Sequence, residues 1–260
     1  MNSEDTTRLI LFLAIFLFIA GWEALLPRRP LSSQRRPRWF SNLGLGLLNQ
    51  LLVRLCFPIL LFALASFTQQ QGWGALNVLG MPQILAIVVS ILLLDLLIYA
   101  QHRLFHRVNW LWRLHRVHHS DMEFDVTTAV RFHPLEIILS MIIKMCFVVA
   151  LGAPALAVLI FEVILSATAL FNHGNISIPP GLDKLLRRLI VTPDMHRVHH
   201  SWTPAETNSN FGFNLSCWDY LFGSYKDQPA QGHLEMTVGL KEYRSQSALS
   251  LRALLQQPFK

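Results

Sequence analysis

Five apolar stretches fix the class of this 260-residue chain. They cover residues 9–26, 43–67, 84–100, 135–151 and 154–171. Crossing the hydrocarbon core of a bilayer takes about 20 helical residues, with a lower limit near 17. No water is available there to satisfy backbone groups, so an apolar span of this length must be helical. Composition agrees: 52% of residues are hydrophobic, only 15% are charged, and the mean hydropathy is +0.38. Soluble domains carry about a quarter charged residues. The second stretch contains Asn49, Gln50 and Arg54, so its N-terminal part is expected at the membrane interface. Only Gly152-Ala153 separates the last two stretches, which predicts a helical hairpin.

Arg28, Arg29, Arg35, Arg36 and Arg38 all lie between the first two stretches. Positive charge favours the cytoplasmic side. Counting spans from there puts the ends of the third and fifth stretches in the cytoplasm. The net charge of +6 is therefore read as a topology signal rather than as an affinity for nucleic acid. The polar N-terminus lacks the basic start of a secretory signal, so the first stretch is expected to remain as an anchor. Cys56, Cys146 and Cys217 form no metal-binding or disulfide spacing, and two of them are expected as small core residues. The expected fold is an all-α membrane protein of four to five hydrophobic helical segments with a cytosolic helical cap. Its expected divisions are anchor helices (1–83), a catalytic domain (84–226) and a polar tail (227–260).

The cap carries the chemistry. His115-Arg116-Val117-His118-His119-Ser120 recurs letter for letter as His196-Arg197-Val198-His199-His200-Ser201, and His102 and His106 precede the first copy. Eight of eleven histidines thus fall into boxes of the form HxxxH, HxxHH and HxxHH. Residues three and four apart share a helix face, and neutral imidazole binds iron, zinc, copper and nickel. More than one metal ion is implied. His173, in Asn172-His173-Gly174-Asn175, is read as a ninth ligand. Asp95 lies seven residues before His102, so it is expected to accept a hydrogen bond from a ligand histidine. Glu162, three turns before His173, either supports a ligand or makes a helix contact. His133 is read as a loop anchor, and His233 as solvated.

The order HxxxH, HxxHH, a lone Asn-His, then HxxHH resembles the fatty acid hydroxylase/sterol desaturase superfamily of integral-membrane diiron oxidases. The resemblance runs from about Asp95 to Tyr225. It includes Arg131, His133, Pro134 and Glu136, and Asn210-Phe211-Gly212 followed by Trp218-Asp219-Tyr220-Leu221-Phe222-Gly223-Ser224-Tyr225. Phe211 and Ser224 stand where the family pattern has Tyr and Thr. Some members show a further histidine at the position of Ala169. The resemblance implies two non-haem irons, O2 as co-substrate, and hydroxylation or desaturation of a membrane lipid C–H bond. It also implies a separate electron donor: a reductase, ferredoxin or cytochrome. The implied metal ligands are His102, His106, His115, His118, His119, His173, His196, His199 and His200. Asp95 and Asp219 are the candidate catalytic carboxylates, and Asp194 joins them as a candidate to offset metal charge. Competing readings are an acyl-lipid desaturase of the other histidine-box superfamily, a membrane metal transporter and a bis-histidine haem protein.

Overall fold

The computed structural model describes residues 3–30, 35–57 and 59–260. Met1 and Asn2 of the polar N-terminus, residues 31–34 of the arginine-rich loop, and Pro58 lie outside that set. The described residues form helices, short 3-10 turns and isolated bridges, with no β-strand. Five segments are long and apolar enough to cross a membrane: Thr6–Leu25, Arg35–Val78, Gln83–Arg107, Pro134–Leu151 and Ala155–Asn172. The chain is an integral membrane protein, and leucines such as Leu13, Leu17, Leu47 and Leu55 line the outside of these helices.

The first span is α1 (Ser3–Leu25). The second is broken into α2 (Arg35–Cys56), α3 (Leu61–Gln70) and α4 (Ala75–Val78). The breaks fall between Cys56 and Leu61 and between Gln70 and Ala75. α5 (Gln83–Arg107) runs on into α6 (Asn109–His119) after a break at Val108. α7 (Pro134–Leu151) and α8 (Ala155–Asn172) form the hairpin. Gly152 turns it, with a left-handed φ of 73° at the end of α7, a conformation that suits glycine. α9 (Pro180–Leu186) and α10 (Pro193–His199) follow.

Contacts fix the relative directions. Arg8 meets Glu162, and Ile19 packs beside Gly174. α1 and α8 therefore run the same way, and both end where the histidines gather.

Three expectations are corrected here. Cys56 and Cys146 are exposed rather than core residues. Arg38 is wholly buried, so it is not a free topology charge. Residues 227–260, expected as a polar tail, pack back on the cap. Leu254 is buried with Leu45 and Val117, and Arg116 donates to the carbonyls of Gln257 and Lys260. The tail thus braces the back of α6.

Candidate metal centre

His102 and His106 sit one turn apart near the end of α5, where the helix leaves its apolar span. α6 carries His115, His118 and His119. α10 carries His196 and His199, with His200 at its C-cap, and His173 caps α8. The structure brings these nine imidazoles together in two groups. One holds His102, His106, His115, His119 and His199. The other holds His118, His173, His196 and His200. Within each group the nearest ring nitrogens all lie within 4.8 Å of one another.

The duplicated hexapeptide explains the division. In each copy the first and last histidines (i and i+4) join one group and the middle histidine (i+3) joins the other. Positions i+3 and i+4 differ by about 100° around a helix, so one short helix serves two centres. The two copies exchange members: α6 lends His118 to the second group and α10 lends His199 to the first. The α5 pair His102/His106 has its counterpart in Ala169/His173 on α8. Ala169 contributes only its carbonyl, which accepts from His173 Nδ1 at 2.8 Å. The groups therefore number five and four.

Four tautomers are set by what surrounds them. Nδ1–H of His102 donates to Phe211 O (2.9 Å), of His199 to Ser209 O (2.7 Å), of His173 to Ala169 O, and of His115 to Glu136 Oε1 (2.7 Å). Each ring then turns a bare Nε2 lone pair inward. Nε2 of His102 and of His199 has no hydrogen-bond partner at all. Nε2 of His173 lies 3.1 Å from Nε2 of both His118 and His196. A buried polar atom without a partner costs roughly 1–3 kcal/mol, so this cluster does not satisfy itself. Metal–imidazole bonds are about 2.1 Å long, so adjacent ligands about 90° apart sit about 3 Å from each other. The observed spacing and the inward lone pairs fit metal ions.

Burial keeps the rings neutral, the form that binds metal. It holds His118, His119, His196 and His200 well below the ordinary histidine value, with neighbouring imidazoles adding to the effect. It pushes His173 down to about 4 and His199 down to about 3. Aromatic rings close the walls. Phe132 stacks on His118 at 4.3 Å, Phe124 on His173 at 5.6 Å, and Phe211 lies 5.2 Å from His106. Only His106 of the nine is partly open, beside Trp112 at 4.8 Å.

The supporting carboxylates are not those expected. Asp95 accepts from Leu215 N (3.1 Å) and Trp218 Nε1 (2.8 Å), not from a histidine. It ties α5 to the loop that crosses it. Asp194 pairs with Arg28 and Arg197, again with no ligand histidine. Glu136 makes the carboxylate–histidine bond instead. Arg131, His133, Pro134 and Glu136 belong to the family pattern, but nothing in their spacing pairs Glu136 with His115. Asp219 acts at one remove: it accepts from Phe211 N (2.8 Å) and Gly212 N (2.7 Å). The same Phe211 carbonyl holds His102. A Cβ on Gly212 would lie 2.6 Å from Asp219, so the Asn-Phe-Gly stretch needs its glycine. Ser224, in place of threonine, keeps the hydroxyl that donates to Asp219 at 2.7 Å.

The remaining candidates sit outside the cluster. His133 caps α7, accepting from Leu135 N and donating to Leu255 O. Glu162 pairs with Arg8 within the spans. His233 is not solvated: it is buried, 3.6 Å from Asp194.

Residues 87–224, just over half of the chain, match the sequence model described as fatty acid hydroxylase. The ornithine lipid hydroxylase OlsE of Rhizobium tropici is 30% identical over 178 residues, covering 68% of this chain and 51% of that protein. Alkylglycerol monooxygenase of Xenopus tropicalis is 29% identical over 132 residues, 49% of this chain and 27% of that protein. Cholesterol 25-hydroxylase of Rattus norvegicus is 26% identical over 145 residues, 55% of this chain and 47% of that protein. The chain thus spans about half or less of the length of these relatives. No solved structure matches it.

Proposed function

This chain belongs to the fatty acid hydroxylase family, and we propose that it is a diiron lipid oxidase that uses O2 to hydroxylate or desaturate a lipid C–H bond. One observation carries this reading: nine histidines in two adjacent groups, eight of them buried, with at least four Nε2 lone pairs turned inward. A single haem or a single zinc leaves most of them unexplained. A transporter calls for polar groups along its spans near the membrane midplane, whereas these histidines collect at one end of the helices. Relatives named for ornithine lipid, alkylglycerol and cholesterol chemistry support a lipid as substrate.

In this reading, His102, His106, His115, His119 and His199 hold one iron, and His118, His173, His196 and His200 hold the other. A pair of irons there supplies the binding and reduction of O2 that C–H oxidation requires. The chain's own residues do the rest. Glu136 fixes the His115 ring and returns negative charge to an otherwise neutral ligand set. The Phe211 carbonyl, braced by Asp219, fixes His102. Asp95 and Asp219 are thereby positioning residues. The aromatic wall excludes water, and half-buried His106, beside Trp112, marks the side from which substrate would approach. The arginine-rich loop supports a cytoplasmic face for the site, where a separate reductase, ferredoxin or cytochrome delivers electrons.

Metal analysis of protein purified anaerobically from iron-replete cells tests this reading. The expected content is about two irons per chain, together with a membrane lipid that gains label from 18O2. Zinc alone after iron loading, or no labelled or newly unsaturated lipid, overturns it. Glu136→Gln provides a finer check. The amide keeps an acceptor for His115 but removes the charge, and such changes cost about 10–100-fold in metal affinity. Unchanged affinity in a chelator competition removes Glu136 from the centre.

A further inference from the structure

A cavity of about 270 Å³ lies next to the metal centre, and no step above uses it. Two cations and two carboxylates line it: Arg29, Arg244, Glu123 and Glu235. Among the described residues, none of the four is ion-paired with another. Each arginine spends a donor on a neighbouring carbonyl, Arg29 on Met236 O (2.7 Å) and Arg244 on Val238 O (2.6 Å). This holds both guanidinium groups in place; Arg244 also lies over the Trp202 ring at 6.0 Å, and Glu123 and Glu235 are near enough to act on Arg29 through space. Asn175 clamps the Arg29 backbone from both sides, accepting from its N–H and donating to its carbonyl.

The location is informative. Arg29 follows the end of α1, and Asn175 follows the end of α8, so the cavity sits where these helices leave the membrane. Leu25 and Leu26, just before it, are 81% and 60% exposed, as expected of residues in contact with lipid. The inner wall is Phe124, which stacks on His173 and lies 5.0 Å from His200. A group bound in the cavity is one phenyl ring away from the second histidine group.

We propose that this cavity binds a lipid headgroup that carries both a cationic amine and an anionic oxygen group. Its own charges cancel, two against two, so a purely anionic or purely cationic ligand leaves like charges unmatched. A headgroup of both signs gives Arg29 and Arg244 an acceptor and Glu123 and Glu235 a donor. Its height at the membrane surface suits a lipid better than a soluble metabolite. The proposal deepens the lipid-oxidase reading and rests on it for the identity of the bound molecule as substrate.

The test is retention of lipid by the full-length protein in detergent, measured by native mass spectrometry. Phosphatidylethanolamine, phosphatidylglycerol and diacylglycerol with matched acyl chains are offered as an equimolar mixture. Phosphatidylethanolamine is expected to be retained about tenfold over diacylglycerol, the scale of one or two charge-assisted hydrogen bonds. Glu235→Gln is expected to shift preference toward phosphatidylglycerol, and Arg244→Gln to shift it away. Both side chains are exposed, and a loss of fold does not produce shifts of opposite sign. Equal retention of all three lipids, or the same change in both variants, overturns the proposal. Competition by free ethanolamine phosphate as strong as by the lipid overturns the choice of a lipid. Retention needs no turnover, so a protein that binds the lipid but loads no iron fails the oxidase reading alone.

Discussion

Alanine at His118 or at His199 is expected to reduce lipid oxidation to background, with unequal losses of metal. His199 is one of five histidines in the first group, and its removal leaves four. His118 is one of four in the second, and its removal leaves three. His118 also lies 3.1 Å from His173, one of the three remaining ligands of that group. His118→Ala is therefore expected to lose close to one metal per chain, while His199→Ala retains more of its metal with an altered spectrum. On the proposed reading activity falls in both, because O2 chemistry there needs both metal groups. Metal content by mass spectrometry, alongside elution volume and helical circular dichroism, separates a lost ligand from a lost fold. Wild-type activity in both folded variants would falsify the two-centre assignment. Equal metal loss in both would sink the division into five and four.

The nine histidines were legible because helical periodicity is local. Once the boxes lie on helices, the faces follow from spacing alone. What crosses from a distant segment was not legible. Asp95 does share a face with His102, but Leu215 and Trp218 reach its carboxylate first, about 120 residues along the chain. Glu136 reaches His115 only because the loop of residues 120–133 folds back over α6. The exchange of His118 and His199 between groups was equally hidden, since it depends on how α6 and α10 face each other. The apolar stretches mark the spans, yet the second is broken twice: Pro58 lies in the sequence between α2 and α3, and Gly72 and Gly74, both at positive φ, lie between α3 and α4. By charge alone, Arg38 is no different from the arginines beside it. A buried arginine has the same letter as an exposed one, and only its partners distinguish them.

Those partners make Arg38 the side chain whose loss should cost the fold most. Its guanidinium is fully buried and donates to Asp121 (2.5 and 2.8 Å) and to Asp125 (2.9 Å). Asn42 also donates to Asp121, and its amide oxygen accepts from Arg131. Arg131 in turn donates to the Val117 carbonyl and to Ser120. The network binds α2 to the last turn of α6, immediately after His118 and His119. Burial raises the Asp121 carboxyl, but Arg38 and Arg131 overcome this and hold it well below the usual carboxylate range. Asp121 therefore stays charged near neutral pH. Removing the guanidinium leaves the buried Asp121 charge without its hydrogen-bonded partner and takes a buried donor from Asp125. Breaking a buried pair in this way costs about 3–5 kcal/mol, against a total stability of about 5–15 kcal/mol. Arg38→Ala is expected to lower the melting temperature sharply in detergent and to release metal, because α6 loses its register with α2. Arg38→Lys keeps the charge but not the fork that spans both carboxylates, so an intermediate loss is expected. A melting temperature for Arg38→Ala within a few degrees of wild type, with metal retained, shows that α6 is held by its apolar contacts and by the C-terminal brace instead.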